Sequence, residues 1–192
     1  MVRITHFLLS LGAGIAAAAR IKSLTHSGPG CPQDAKVTWS GGLDDLTITF
    51  SDFSESLAAG QMTSCQVHLL VDQGEPGKAL QLQDVVVRGG LYLGANSRVD
   101  FYTTAYWSET AGDTVTKQTT TSAGSSAVVR NVAVAQRLNS ASTCVGGDGY
   151  VGILNVTFRI VSQAGRVVFG RERKESGTSP VTESLSFGWQ SC

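Results

Sequence analysis

From Lys36 to the C-terminus the chain is a series of short β-branched and aromatic runs broken by Gly, Ser, Asn and Asp, with no sustained apolar stripe at helical spacing. That pattern confines the fold to strands. Val37 and Trp39 alternate with polar neighbours; Gly41-Gly42 then turns the chain into Leu46, Ile48 and Phe50 on one face with Thr47 and Thr49 on the other. Cys65, Val67, Leu69 and Val71 share a face of a third strand. Val99, Phe101, Thr103, Ala105 and Trp107 form one side of another, which sets the rings of Tyr102 and Tyr106 on its opposite side. Gly152, Leu154, Val156, Phe158 and Ile160 predict an inward row, with Asn155 and Thr157 outward. Leu185, Phe187 and Trp189 predict an inward row in the last strand.

Three stretches depart from this alternation. Leu80 to Leu93 is long for one strand, and Gly89-Gly90 predicts a bulge or a sharp bend where the strand changes sheets. Ser108 to Ser126 is rich in Thr, Ser, Gly and Lys and reads as a mobile hairpin tip or edge loop. The mixed charges of Arg171 to Glu175 read as a solvated loop. The fold class that follows is all-β, an antiparallel β-sandwich stapled by two disulfides, with one domain over residues 31–192 after a flexible leader at 20–30.

The disulfides are expected because of how the chain begins. Arg3 precedes an apolar run from Phe7 to Ala19 that closes in four alanines, the pattern of a secretory signal peptide over residues 1–19. Those thirteen residues fall short of the ~20 needed to span a bilayer. The expected product is secreted and extracellular, with no membrane attachment after cleavage, and export brings the four cysteines to an oxidising compartment. Cys31 with Cys65 and Cys144 with Cys192 is the preferred pairing, since Cys31 and Cys65 fall at one end of an up-down-up arrangement; Cys31 with Cys192 would staple the chain ends and remains open. Each bridge is worth ~2 to 4 kcal/mol. Zinc ligands come at short spacing, whereas these cysteines lie dozens of residues apart, so no metal site is expected.

Without residues 1–19 the chain carries 14 basic and 15 acidic side chains. Such a balance gives no basic face for nucleic acid and no basic helix for a membrane surface. Catalytic sets are equally sparse. His26 falls in the leader and His68 on the outward phase of a strand, with no Gly-x-Ser-x-Gly elbow to accompany it. Asp44, Asp45 and Asp52 flank the first hairpin, where carboxylates serve turns. No cofactor motif is present. Tyr102, Tyr106 and Tyr150, opposite in phase to the inward rows, are the candidate binding residues, because a row of rings on a sheet can stack on sugars or meet a partner. Asn155-Val156-Thr157 is a glycosylation sequon on the strand face expected to be wet.

Gly30-Cys31-Pro32, Leu46 to Phe53, Ser64-Cys65-Gln66-Val67, Val87-Arg88-Gly89 and the closing Trp189-Gln190-Ser191-Cys192 resemble a family of small secreted four-cysteine proteins, mainly fungal with some bacterial, catalogued as a domain of unknown function. The likeness covers most of the mature chain and departs at Ser108 to Ala127, which is longer and more polar. It implies a secreted β-sandwich of fungal origin and supplies no catalytic residues. The function expected is a non-enzymatic extracellular binding module, effector-like or wall-associated, whose partner is a cell-wall glycan or a host surface protein. The rival is an exported enzyme acting on a carbohydrate or small metabolite in a pocket between the sheets, with Asp and Tyr as acid/base groups. Protein recovered from culture medium is expected to begin near Arg20 by N-terminal sequencing, and an intact Met1 would refute the signal.

Overall fold

A computed structural model describes residues 19–174 and 177–192, so nearly all of the expected signal peptide lies outside the described residues. Fourteen strands follow in order: β1 (Arg20–Ser27), β2 (Val37–Ser40), β3 (Thr47–Phe50), β4 (Glu55–Leu57), β5 (Met62–Asp72), β6 (Lys78–Leu93), β7 (Arg98–Trp107), β8 (Val115–Ser122), β9 (Val128–Ala141), β10 (Gly152–Ala164), β11 (Val167–Gly170), β12 (Glu172–Lys174), β13 (Gly177–Ser179) and β14 (Val181–Ser191). One sheet runs β1-β5-β10-β7-β8. The second runs β2-β3-β14-β6-β11-β4, with β9 paired to the free side of β6. Every pairing is antiparallel, and the two sheets pack as a sandwich.

Alternation decides what lies between the sheets. Cys65, Val67, Leu69 and Val71 of β5, Leu154, Val156, Phe158 and Ile160 of β10, and Val99, Phe101, Ala105 and Trp107 of β7 are all buried. Opposite them lie Leu46, Ile48, Leu80, Leu82, Val85, Val87, Leu91 and Leu93. Rings join the layers. Phe101 and Phe158 stack at 5.8 Å, and Phe169 of β11 meets them edge-on or tilted at 5.6 and 5.9 Å. Phe53 and Phe50 extend the chain of contacts at 6.1 and 6.3 Å. Each such pair adds roughly 0.5–1.5 kcal/mol beyond its area. The bridges are Cys31–Cys65, which ties the loop between β1 and β2 to β5, and Cys144–Cys192.

Several expectations from sequence are corrected. The segment expected to be a flexible leader is strand β1, paired to β5 from Arg20 opposite Asp72 to Ser27 opposite Gln66. A bulge between Ile21 and Ser23 lets Ile21 and Leu24, three residues apart, both pack on the core, and this breaks the alternation that would have revealed the strand. The Thr-rich stretch after Ser108 is a short 3-10 segment, Ser108–Asp113, followed by edge strand β8. Part of the charged run after Arg171 forms the small β12–β13 hairpin. Gly89-Gly90 neither bends β6 nor moves it between sheets; pairing with β9 continues through both, and the bulge falls at Leu82–Asp84. The glycines are there for room: a Cβ on Gly89 would come within 2.5 Å of the Phe169 ring, and one on Gly90 within 2.3 Å of the Arg171 carbonyl oxygen. Trp189 pairs opposite Leu80 as the inward phase requires, yet at the strand end it overhangs the core and is 40% exposed.

Between the sheets lies a void of about 10 Å³, lined by Phe50, Phe53, Cys65, Val87, Phe158, Val181 and Glu183. Glu183 is 2% exposed, and its Oε1 has no hydrogen-bond partner. Burial raises its pKa to about 8. The folded chain therefore keeps this proton up to about pH 8, whereas the unfolded chain releases it near 4.5. Folding stability consequently declines as pH rises through that window and levels off above it. Urea unfolding across this range is expected to show that decline in the parent and a flatter profile in Glu183→Gln, with the two closest at the acidic end; parallel profiles would contradict it.

Candidate functional site

Because the inner side of the β1-β5-β10-β7-β8 sheet is apolar, its outer side receives every alternate residue of the same strands. Register places these in rows. Thr25, His68, Asn155 and Tyr106 form one row; Ser27, Gln66, Thr157, Thr104 and Thr116 form the next; Ser64, Arg159, Tyr102 and Gln118 form the third. The face is broad, polar and half-buried, and it carries two of the three tyrosines expected from sequence. Tyr102 and Tyr106 are four residues apart on β7, about 13 Å along the strand. Tyr150 does not join them. It lies in the loop before β10, where its hydroxyl donates to Glu109 at 2.5 Å. That hydrogen bond foremost, then burial and the Glu109 charge, push its pKa up to about 12, so the phenol stays protonated and tied to Glu109.

The posture of Tyr106 distinguishes it. Gln66 Nε2 donates to Tyr106 Oη at 3.2 Å, although β10 lies between their strands. Two strand spacings, roughly 9–10 Å, separate β5 from β7. The phenol closes that gap by reaching over β10, and the side chain is half-buried. Tyr102 is held differently: the Arg159 guanidinium carbon sits 4.6 Å from its ring centre.

Beneath Tyr106 the floor is fixed by a hydrogen-bond network. Asn155 Nδ2 donates to Ser108 Oγ at 2.9 Å and to the Ile153 carbonyl at 3.2 Å, so its Oδ1 is the acceptor that faces His68 Nδ1 at 2.6 Å. His68 Nδ1 must then carry the proton, which leaves Nε2 as the acceptor toward Ser27 Oγ at 3.5 Å. The order Ser27, His68, Asn155 has the form of a nucleophile, base and orienting group, but 3.5 Å exceeds the reach of proton transfer. A groove of about 310 Å³ adjoins this network, lined by Ser23, Thr25, His68, Leu70, Ser108, Ile153 and Asn155.

Asn155 is itself a correction. Although it occupies the outward phase expected of a sequon, it is 3% exposed, and its amide nitrogen is spent on Ser108 and Ile153. Nothing local signals this burial, since two of its three partners, Ser108 and His68, lie 47 and 87 residues away. The paired carboxylates of the first hairpin do turn chemistry: Asp45 Oδ1 accepts the Gly42 N–H at 2.7 Å. Asp52 lies 3.8 Å from Arg171. His26 stands on β1 opposite Val67; burial first, then the nearby His68, lower its pKa. Larger clefts lie elsewhere. One of about 640 Å³ is lined by residues that include Tyr92, Arg130 and Arg171, and one of about 740 Å³ at the sandwich end holds Trp189, Gly74 and Asp148. Among the described residues no group of three or more His, Cys, Asp or Glu could hold a metal ion.

Residues 17–192 match the domain of unknown function DUF4360. The chain belongs to that family. No curated protein matches it in sequence. Among solved structures it is similar to TmCBM61 in complex with β-1,4-galactotriose (11% identity, 90% of this chain and 91% of that one, TM-score 0.28). It is also similar to the CBM22-1 xylan-binding domain from Paenibacillus barcinonensis Xyn10C (11% identity, 88% and 92%, TM-score 0.31). A third is the enzymatically active domain of bacteriophage CBA120 tailspike protein 4, at 13% identity and TM-score 0.27; 85% of the DUF4360 chain aligns, spanning 19% of that protein. At these scores the likenesses assign no ligand. Intact mass of the folded protein is expected to show Asn155 free of glycan, and Asn155→Leu to lower stability by about 1–3 kcal/mol in urea unfolding, since it leaves the half-buried His68 without its partner.

Proposed function

We propose that this DUF4360 protein is an exported, non-enzymatic module that binds a cell-wall polysaccharide on the outer face of the β1-β5-β10-β7-β8 sheet. The observation that carries the reading is the Tyr106 ring on this face, whose hydroxyl is held from across β10 by Gln66. A sugar ring presents an apolar side of C–H groups and an equatorial rim of hydroxyls. An aromatic ring flanked by Thr104, Thr157 and Gln66 meets both needs, with stacking on the ring and hydrogen bonds from the flanks. Tyr102, about 13 Å away, is placed to meet a different unit of an extended chain.

A platform built on strands is also rigid. The ring is already held by its hydroxyl and the floor by the Asn155 network, so little side-chain freedom is lost on binding. Export is supported by the two closed disulfides, which persist in oxidising surroundings. Among the described residues no helix is long and apolar enough to cross a membrane.

Pull-down on insoluble xylan, β-glucan, chitin and pectin is expected to retain the protein on at least one of them. On the polymer retained, Tyr106→Ala should weaken binding about five- to tenfold by calorimetry, whereas Tyr106→Phe keeps most of it. Retention on none of these polymers, or unchanged affinity in Tyr106→Ala, would refute the reading.

A further inference from the structure

Resting on that reading of the face, we propose that its ligand is an acidic polysaccharide, recognised through Arg159 by the carboxylate of a uronic acid unit. Three other cations of this sheet are already matched, and Lys117, on edge strand β8, lies opposite the buried Thr103 and so out of phase with the outer rows. Arg20 and Lys22 lie 3.2 and 3.8 Å from Asp72, and Arg98 lies 3.9 Å from Asp100. Arg159 stands in the middle of the outer face, between Ser64 of β5 and Tyr102 of β7, and forms no ion pair among the described residues. Its Nε is buried without a hydrogen-bond partner. Its guanidinium rests on the Tyr102 ring instead.

That contact holds the guanidinium against the ring and leaves its terminal N–H groups without a carboxylate partner among the described residues. A planar fork of donors matches a carboxylate bidentately, and pre-orientation reduces the entropy lost on binding. Its place beside the Tyr106 platform, in the third row against the first, puts charge recognition and ring stacking within reach of one polymer chain.

The acid nearest on the same face, Asp100, does not compete for Arg159. Its carboxylate is 4% exposed and accepts from Thr120 at 2.6 Å and Gln163 at 2.8 Å. Burial alone would raise its pKa, but the hydrogen bonds from Thr120, Gln118 and Gln163 together with the Arg98 charge outweigh it and hold the pKa below the usual value. Asp100 is therefore a satisfied carboxylate, and Arg159 is the cation in the middle of this face that lacks one.

The test compares two forms of one backbone: de-esterified polygalacturonate, and the same polymer fully methyl-esterified, which removes the charge and keeps the sugars. At low ionic strength the parent is expected to bind the charged form at least about tenfold more tightly, with the preference shrinking as salt is added. Arg159→Gln should bring the ratio close to one, Arg159→Lys should retain part of it, and Arg20→Gln should leave it unchanged. Tyr106→Ala should weaken both forms and preserve the ratio. Equal binding of the two forms by the parent, a ratio that survives Arg159→Gln, or a preference that follows Arg20 would overturn the inference. Retention on neutral xylan or β-glucan alone would defeat it while leaving the glycan reading intact; retention on no polymer, charged or neutral, defeats both.

Discussion

Strict alternation along β5, β10 and β7 is the constraint on which the remaining features depend. With a period of two, each apolar residue committed to the interior commits its neighbour to the outside. The rows ending in Leu69, Leu154 and Trp107 are packed so completely that their strands cannot slip by one residue without exposing the core. The outer rows inherit that fixed register. Tyr106 can reach Gln66 across an intervening strand only because all three strands are locked in place. The phenylalanine cluster that welds the two sheets thus also sets the geometry of a surface it never touches.

How much of this was legible in the sequence follows from how local each signal is. The inward rows of β5, β7 and β10 could be read directly, because alternation is a property of neighbours. The cysteine pairing could be narrowed by placing Cys31 and Cys65 at one end of the first strands, and the structure closes those bridges. Strand β1 was hidden by a bulge that put Ile21 and Leu24 three residues apart. The glycine pair of β6 had the look of a break, but its cause is the Phe169 ring and the Arg171 backbone, both some eighty residues away.

The side of the sheet on which the candidate residues stand was legible in sequence, but their posture was not. Phase alone set Tyr102 and Tyr106 on one face. That Tyr106 is held by Gln66, that Tyr102 shares its ring with Arg159, and that Tyr150 is tied up by Glu109 depend on partners 40 to 57 residues distant. Asn155 makes the same point in reverse. Its phase is outward, yet hydrogen bonds gathered from β5, the Ser108 turn and its own strand close over it. A sheet five strands wide can bury a polar side chain on its wet side when the neighbours are tall enough.

The placement of the two covalent links also governs how the molecule would respond to pulling. Tension entering at β1 reaches Cys31, crosses to Cys65, runs along the chain to Cys144 and crosses again to Cys192. Loops with sequence separations of 34 and 48 residues stay closed and contribute no slack. Strands β2, β3 and β4 lie in the first closed loop, and β10 to β14 in the second. A protein lashed to a fibre by one face would yield under load only through its first strand and the stretch from β5 to β9, and would keep a crosslinked remnant from which to recoil.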